Sequence, residues 1–488
     1  MPVRTFRALA LVLVLGAAVG AGCGGGLAES DLRQPDGWDA QVKLPAAADH
    51  DPAPDRVEVH LEAKVATLEL RPGQLTEVWT YNGTLPGPTL RARVGDEVVV
   101  KFKNSLPEPT TIHWHGLRVP ASMDGTTHTQ PAVAPGETFE YRFTVPDAGT
   151  FWYHPHIRSS AQVGAGLYGA FVVEPREGSA EAGFDKALGD ELLLVLSDVS
   201  LEEDGRLSPA DKHGFFGDYF GREGELVLVN GRAMPTVKLR LGVPQRWRII
   251  NAARARYFRF TLPGQTIVRV GGDAGLLERP VEVSEVVLTP GERAELYVMP
   301  RAEAVPQEPV VVTVPLLDAN RFRLPSEAEP GELMRVELTA EKAGYGAAKL
   351  PERFADIEKV DTAVAFTRQI EFMEKSDPDG AVLGINGKTD GTLSIDAHVN
   401  TVEIWELTNT TPYDHPFHLH GFFFQVLDVD GRAPTMTEWR DTVNLVPGRK
   451  VRIAIPFDDR EGMWMFHCHI LDHADLGMMA MVHLHSSH

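Results

Sequence analysis

NGTLPGPTLRARVGDEVVVKFKN, residues 82–104, recurs in altered form as NGRAMPTVKLRLGVPQRWRIIN at 230–251 and as NGKTDGTLSIDAHVNTVEIWELTN at 386–409. The Asn-to-Asn spacings are 22, 21 and 23. Each copy runs from an Asn-Gly turn to an alternating stretch: Val98 to Phe102, Arg246 to Ile250, Thr401 to Leu407. Such alternation marks a half-buried strand bounded by turn residues. Three copies predict three similar β-domains. In the first and last copies, Pro135-Gly136-Glu137 and Pro447-Gly448-Arg449 introduce further alternating strands that lead through an acidic loop to an aromatic-rich strand. The middle copy has Pro290-Gly291-Glu292 without that ending. Helical periodicity is scarce, so the expected class is all-β, built of sandwiches. Boundaries are expected near 175 and 345, where Pro, Glu, Ala and Gly crowd together. They give domains at 56–175, 176–345 and 346–488.

The 488 residues exceed what one core normally serves, in line with several domains. With 43% hydrophobic and 24% charged residues the chain reads as globular rather than disordered. A formal charge of -21 works against nucleic acid and anionic lipid as partners. Arg4 and Arg7 precede an apolar run from Ala8 to Val19 with small residues after it, the pattern of an export signal, here taken as residues 1–28. That run is too short to span a bilayer comfortably, so no transmembrane segment is expected. Gly20-Ala21-Gly22-Cys23 resembles a lipoprotein cleavage site, with Gly20 where such sites usually carry Leu; lipid anchoring and free export to the periplasm, envelope or medium both stay open. Residues 29–55, polar and rich in Pro and Ala, read as a tether. With Cys23 removed or lipidated, Cys468 is the one cysteine left, and an intramolecular disulfide is excluded.

Eighteen histidines would give roughly 0.7 His-x-His pairs by chance, yet there are five: His113/His115, His154/His156, His418/His420, His467/His469 and His483/His485. Side chains two apart on a strand share a face, so a pair presents two rings to one point. The first four pairs supply eight imidazoles, more than one tetrahedral ion uses, so several metals must share the site. The fifth pair reads as a terminal tail with no call for ligands. In His467-Cys468-His469 the alternation turns Cys468 to the opposite face, so one strand serves two sites. His473, Met478 and His415 accompany it: a thiolate, two imidazoles and a thioether are the ligands of a blue-copper electron-transfer centre.

Four segments resemble the signature segments of laccase-type multicopper oxidases: His113-Trp114-His115-Gly116, His154-Pro155-His156, His415-Pro416-Phe417-His418-Leu419-His420, and His467-Cys468-His469 running to His473 and Met478. The resemblance implies three cupredoxin-like Greek-key β-sandwich domains and four copper ions. By it, His415, Cys468 and His473 bind a type 1 copper with Met478 axial, and His113 and His418 a type 2 copper. His115, His154, His156, His420, His467 and His469 hold the type 3 pair, and the middle domain supplies no ligand. Asp124 and Asp472 match acidic positions that assist proton delivery. The implied reaction is four one-electron oxidations of a small reducing substrate coupled to reduction of O2 to water. Phenols or aromatic amines are favoured over a Cu(I) oxidase in copper tolerance, because the stretch 353–380 contains only Met373 where a thioether-rich insertion is expected of the latter. A metal-free scaffold or a copper nitrite reductase would leave part of this ligand set unexplained, and a copper store, the binding-module alternative, would lack O2-dependent turnover.

Overall fold

The computed structural model of the chain describes residues 34, 36–301, 307–316, 331–342, 350–377 and 380–486. The leader with Cys23 and the boundary expected near 345 lie outside them. The repeated asparagines explain the fold locally. Asn82, Asn230 and Asn386 take φ of 55°, 53° and 48°, and the glycine after each is also left-handed. Positive φ at both central residues is what a two-residue hairpin turn demands, and each turn is closed by a bridge, Tyr81 to Thr84, Val229 to Arg232 and Ile385 to Lys388. Each of these asparagines also clamps a neighbouring strand through its side chain. Asn82 accepts from Glu62 N and donates to His60 O; Asn230 does so with Val195 and Leu193, and Asn386 with Glu371 and Gln369. The closing asparagines repeat one pattern too. Asn104, Asn251 and Asn409 donate to two carbonyls each: Glu108 and Val133, Arg256 and Leu288, Tyr413 and Leu445.

The same topology is built three times. Arg56–Arg71 runs parallel to Glu97–Asn104, which pairs antiparallel with Thr138–Thr144. Asp190–Val199, Gln245–Asn251 and Arg293–Val298 repeat this, as do Phe366–Asp377, Thr401–Asn409 and Lys450–Phe457. A second sheet faces the first in each sandwich, and the buried residues gather into one core per sandwich. The fold is all-β and cupredoxin-like. Among the described residues the helices are short, the longest being Ala180–Ala187.

The expected tether is packed from residue 36 onward. Val42 is buried in the middle core, Ala46 bridges to Thr89, and Ala47 N donates to Thr89 O at 2.9 Å. The physical reason is that Trp38 and Val42 are apolar enough to join a core.

A buried ionic cluster joins the first two sandwiches. Glu295 accepts from Arg246, Arg248 and Thr150, and Arg248 reaches on to Glu191. Burial alone would raise the Glu295 carboxyl, but Arg246 and Arg248 override it and hold it at about 2, below the ordinary 4.5. A depressed carboxylate contributes stability above its unfolded value and loses it as pH falls through its folded value, here between 4.5 and about 2. Glu295→Gln, which leaves two guanidinium groups short of a counter-charge, is therefore expected to cost about 3–5 kcal/mol at neutral pH in denaturant unfolding. The difference from wild type should shrink as pH is lowered towards 2.5, by about half or more; a difference that does not change with pH would contradict the assignment.

Candidate metal centre

Alternation within paired strands places the rings. His113–His115 pairs with Gly149–His154 so that His113 faces His154, while Trp114 and Tyr153, opposite each other, point into the first core. In the third sandwich, Phe417 pairs with Cys468 and His418 with His467. Phe417, Cys468 and Met478 join the core there, and His418, His420, His467 and His469 turn towards the first sandwich. Eight imidazoles from two sandwiches thus meet at one buried place. His113 stacks on His420 and His115 on His418, each at 3.8 Å between ring centroids, and His156 Nε2 lies 3.4 Å from His467 Nε2.

The outer nitrogens are held by the protein. His113 Nδ1 bonds Asp124 O at 2.7 Å, His418 Nδ1 bonds Asp441 O at 3.0 Å, His154 Nδ1 bonds Pro155 O at 3.0 Å and His467 Nδ1 bonds Cys468 O at 2.8 Å. With a carbonyl on Nδ1, each ring carries its proton there and leaves Nε2 as a lone-pair donor. The Nε2 atoms of His113, His154 and His418, and both ring nitrogens of His115 and His469, are buried with no hydrogen-bond partner. Unpartnered buried nitrogens are costly, and so many of them converging is what bound metal relieves. Burial pushes His115, His154, His156, His418, His420, His467 and His469 below the ordinary histidine value. The rings are neutral, as ligands must be. His113, His418 and His420 form one trio with ligand atoms within 4.8 Å of one another, and His156, His420 and His467 another.

The second group lies on the other face of the same strand. Cys468 Sγ is 3.4 Å from both His415 Nδ1 and His473 Nδ1, which are 3.2 Å apart. Thr411 Oγ1 holds His415 Nε2 at 2.8 Å, and the Tyr219 carbonyl holds His473 Nε2 at 3.1 Å. Met478 is fully buried in the same core, and its backbone carbonyl accepts from Cys468 N. A thiol and two rings this close, with their far nitrogens fixed, fit copper, and Cys468 is a free, buried cysteine.

The two carboxylates differ. Asp124 Oδ2 bonds His420 Nδ1 at 2.8 Å, so this side chain touches the eight-ring group directly. Asp472 accepts from Ser160 Oγ, Arg222 Nη1 and Arg222 N, and so ties the turn between His469 and His473 to the other two sandwiches. Beside it Asp475 accepts the amides of Ser159 and Ser160, yet burial raises its carboxyl to about 6.

Sequence reasoning missed Asp441, Arg293 and the aromatic cover. Asp441 receives both outer nitrogens of Arg293 and lies 3.4 Å from His115 Nε2. Burial would raise Asp441, but Arg293 holds its carboxyl well below the usual carboxylate range. The short helix Gly214–Phe220 covers His473. Tyr219 and Phe220 pack edge-on against Tyr413, which in turn packs against His415, and Phe215 and Phe216 face solvent. A Phe-Phe-x-x-Tyr-Phe run was visible in the sequence, though nothing in it points to a histidine. The pair His483/His485 sits in the strand Met479–His485 rather than in a tail, and contributes to neither group.

Models of the multicopper oxidase family match residues 62–178, 200–307 and 360–486. A multicopper oxidase named mco from Staphylococcus aureus is 30% identical over 435 residues, 86% of this chain and 87% of that protein. Among solved structures, a multicopper oxidase from Campylobacter jejuni described as a metallo-oxidase is 29% identical, with a TM-score of 0.79 over 94% of this chain and 99% of its own. A bacterial laccase-like multicopper oxidase from Ochrobactrum sp., with oxidase activity towards lignin model compounds and lignosulfonate, is 27% identical, with a TM-score of 0.77 over 91% of this chain and all of its own.

Because the Asp441 carboxylate approaches His115 and His418, at 3.4 and 3.6 Å, while His415 and His473 are held by other groups, Asp441→Asn should weaken metal binding at the eight-ring group alone, by about 10–100-fold. Metal-to-protein ratios after dialysis against a chelator, read beside the visible spectrum, test this. Loss at both groups, or at neither, would contradict the selectivity.

Proposed function

The chain belongs to the multicopper oxidase family, and from that premise we propose that it is a laccase-like enzyme that oxidises phenols or aromatic amines one electron at a time. Its class is that of a copper-dependent oxidoreductase with O2 as acceptor. We assign His415, Cys468, His473 and Met478 as the residues that would hold a type 1 copper, and His113 and His418 as those that would hold a type 2 copper. His115, His154, His156, His420, His467 and His469 fall to a type 3 pair, four ions in all. Copper supplies one-electron exchange at the first site and O2 reduction to water at the other three.

The chain's own residues set the route. An electron from the substrate arrives at the His473 side, and the peptide of His467-Cys468-His469 is the covalent link from one site to the other. Asp124, on His420 Nδ1, is the carboxylate placed to hold and return a proton at the cluster. Asp472, held by Arg222 and Ser160, positions the turn that carries His473 and serves proton supply through the Ser160 hydroxyl. The observation that carries the substrate reading is the cover over His473, which is aromatic. Tyr413 packs against the His473 ring, Tyr219 and Phe220 pack in turn on Tyr413, and the exposed faces of Phe215 and Phe216 offer stacking to a flat organic reductant. A thioether-lined cover would favour Cu(I) instead. The Campylobacter and Ochrobactrum relatives point in opposite directions here and leave the choice to this surface. Residues 1–28 as export signal, with boundaries near 175 and 345, complete the reading.

Oxygen consumption by the copper-loaded protein with a simple phenol, recorded beside the visible spectrum, tests the route. Wild type should turn over and be blue, and Cys468→Ser should lose both. Asp124→Asn should stay blue with kcat lowered about 100-fold. A colourless wild type would overturn the type 1 assignment. Phe215→Ala with Phe216→Ala should raise KM for phenols several-fold at nearly constant kcat; unchanged phenol kinetics beside fast O2 uptake with Cu(I) would favour the metal oxidase.

A further inference from the structure

One face of the last sheet carries soft donors all the way from solvent to the eight-ring group. The strand Gly462–Cys468 pairs antiparallel with Met479–His485, setting Met463 opposite His483, Met465 opposite Met481 and His467 opposite Met479. Paired residues, and residues two apart along each strand, share a face. The intervening residues Trp464, Phe466, Ala480, Val482 and Leu484 all lie in the core on the other side. Met463, Met465, Met479 and Met481 therefore form a continuous patch of thioethers that ends inward at His467, a ligand of the cluster.

Outward the patch ends among imidazoles. Leu393–His398 runs parallel to Met479–His485, with Asp396 opposite His483 and His398 opposite His485. The rings of His398 and His485 are 4.8 Å apart between centroids, and those of His483 and His485 are 5.4 Å apart. These are the spacings found within the buried groups, 5.0 Å for His415 with His473 and 5.1 Å for His156 with His467. Asp396 Oδ1 lies 3.7 Å from His483 Nδ1, and both side chains are exposed. Three imidazoles beside a thioether suit a cuprous ion, since soft thioether donors select Cu(I). Met465 and Met481 are buried, and they lie outside the core cluster that holds Trp464 and Phe466.

We propose that His398, His483, His485 and Met463 form a surface site that captures Cu(I), and that Met465, Met481 and Met479 pass the ion inward to the cluster as the protein is loaded. The capture site stands by itself; the transfer rests on the four-copper reading above. No electron moves in either step: the ion exchanges ligands and stays Cu(I).

Capture is tested on the copper-loaded full-length chain, reduced beforehand with ascorbate under argon, by titrating Cu(I) against a chromophoric cuprous chelator. Wild type should take up one further ion per chain, and His398→Ala/His483→Ala/His485→Ala, all at partly or fully exposed positions, should lose it. No extra uptake by wild type, or equal uptake by the variant, would overturn the site. Transfer is tested by adding Cu(I) to the metal-free chain and following the growth of the type 2 electron-paramagnetic signal on samples reoxidised in air. Met465→Leu/Met481→Leu, which keeps the volume, should reach the same final copper content several-fold more slowly. An unchanged rate with full final content would sink the track alone; failure of wild type to reach four coppers would instead sink the reading it rests on.

Discussion

The guanidinium of Arg293 is fully buried, and the site is organised around its bond to Asp441. It donates to Thr150 O of the first sandwich, to Gly291 O and Asp273 O of the middle one, and to both carboxylate oxygens of Asp441 in the third. A buried cation is tolerated only with such complete pairing. Asp441 is at the same time the residue whose backbone carbonyl holds His418 and whose side chain approaches His115. One ion pair thus fixes how the sandwiches stack and where two of the eight rings point. The middle sandwich supplies no side chain to the eight-ring group or to the trio of His415, Cys468 and His473, yet it supplies this cation and Arg222, which ties Asp472 between His469 and His473. Its contribution to the site is a set of buried positive charges, which the third sandwich answers with Asp441 and Asp472 and the first with the Thr150 carbonyl.

How much of this could be read in the chain follows from the range of the interactions. The Asn-Gly turns were legible because Asn82, Asn230 and Asn386 act on strands nearby in sequence, within 15 to 37 residues, and recur three times. The eight paired histidines that meet at the junction were legible because a period of two in a strand puts alternate side chains on one face, and His-x-His is rare by chance. Arg293 and Asp441, separated by 148 residues, carry no period and no repeat. The partners of Asp472, Arg222 and Ser160, are 250 and 312 residues away. A carboxylate between two ligand histidines was visible as a residue, while the cation that holds it was not. The segment from 36 to 55 was misread for a related reason: its polar composition outweighed Trp38 and Val42, and burial is decided by what lies across from them.

The three residues His467-Cys468-His469 concentrate the constraint. The pleat gives the thiol to the core of the third sandwich and both rings to the junction with the first, so the two sites are as far apart as the two faces of one strand and joined by its peptide bonds. The register that achieves this is set by the pairing of Phe417 with Cys468 and of His418 with His467. A slip of one residue would turn the thiol towards the rings and the rings into the core. It would bury imidazoles against Trp405 and Phe417 with nothing to bond them, a cost of several kcal/mol. The apolar core therefore enforces the placement of the ligands even without metal, and the carbonyls of Asp124, Asp441, Pro155 and Cys468 set the proton of each ring they touch. Metal ions then complete a site whose geometry the chain has already chosen, which is why unpartnered nitrogens can persist at its centre.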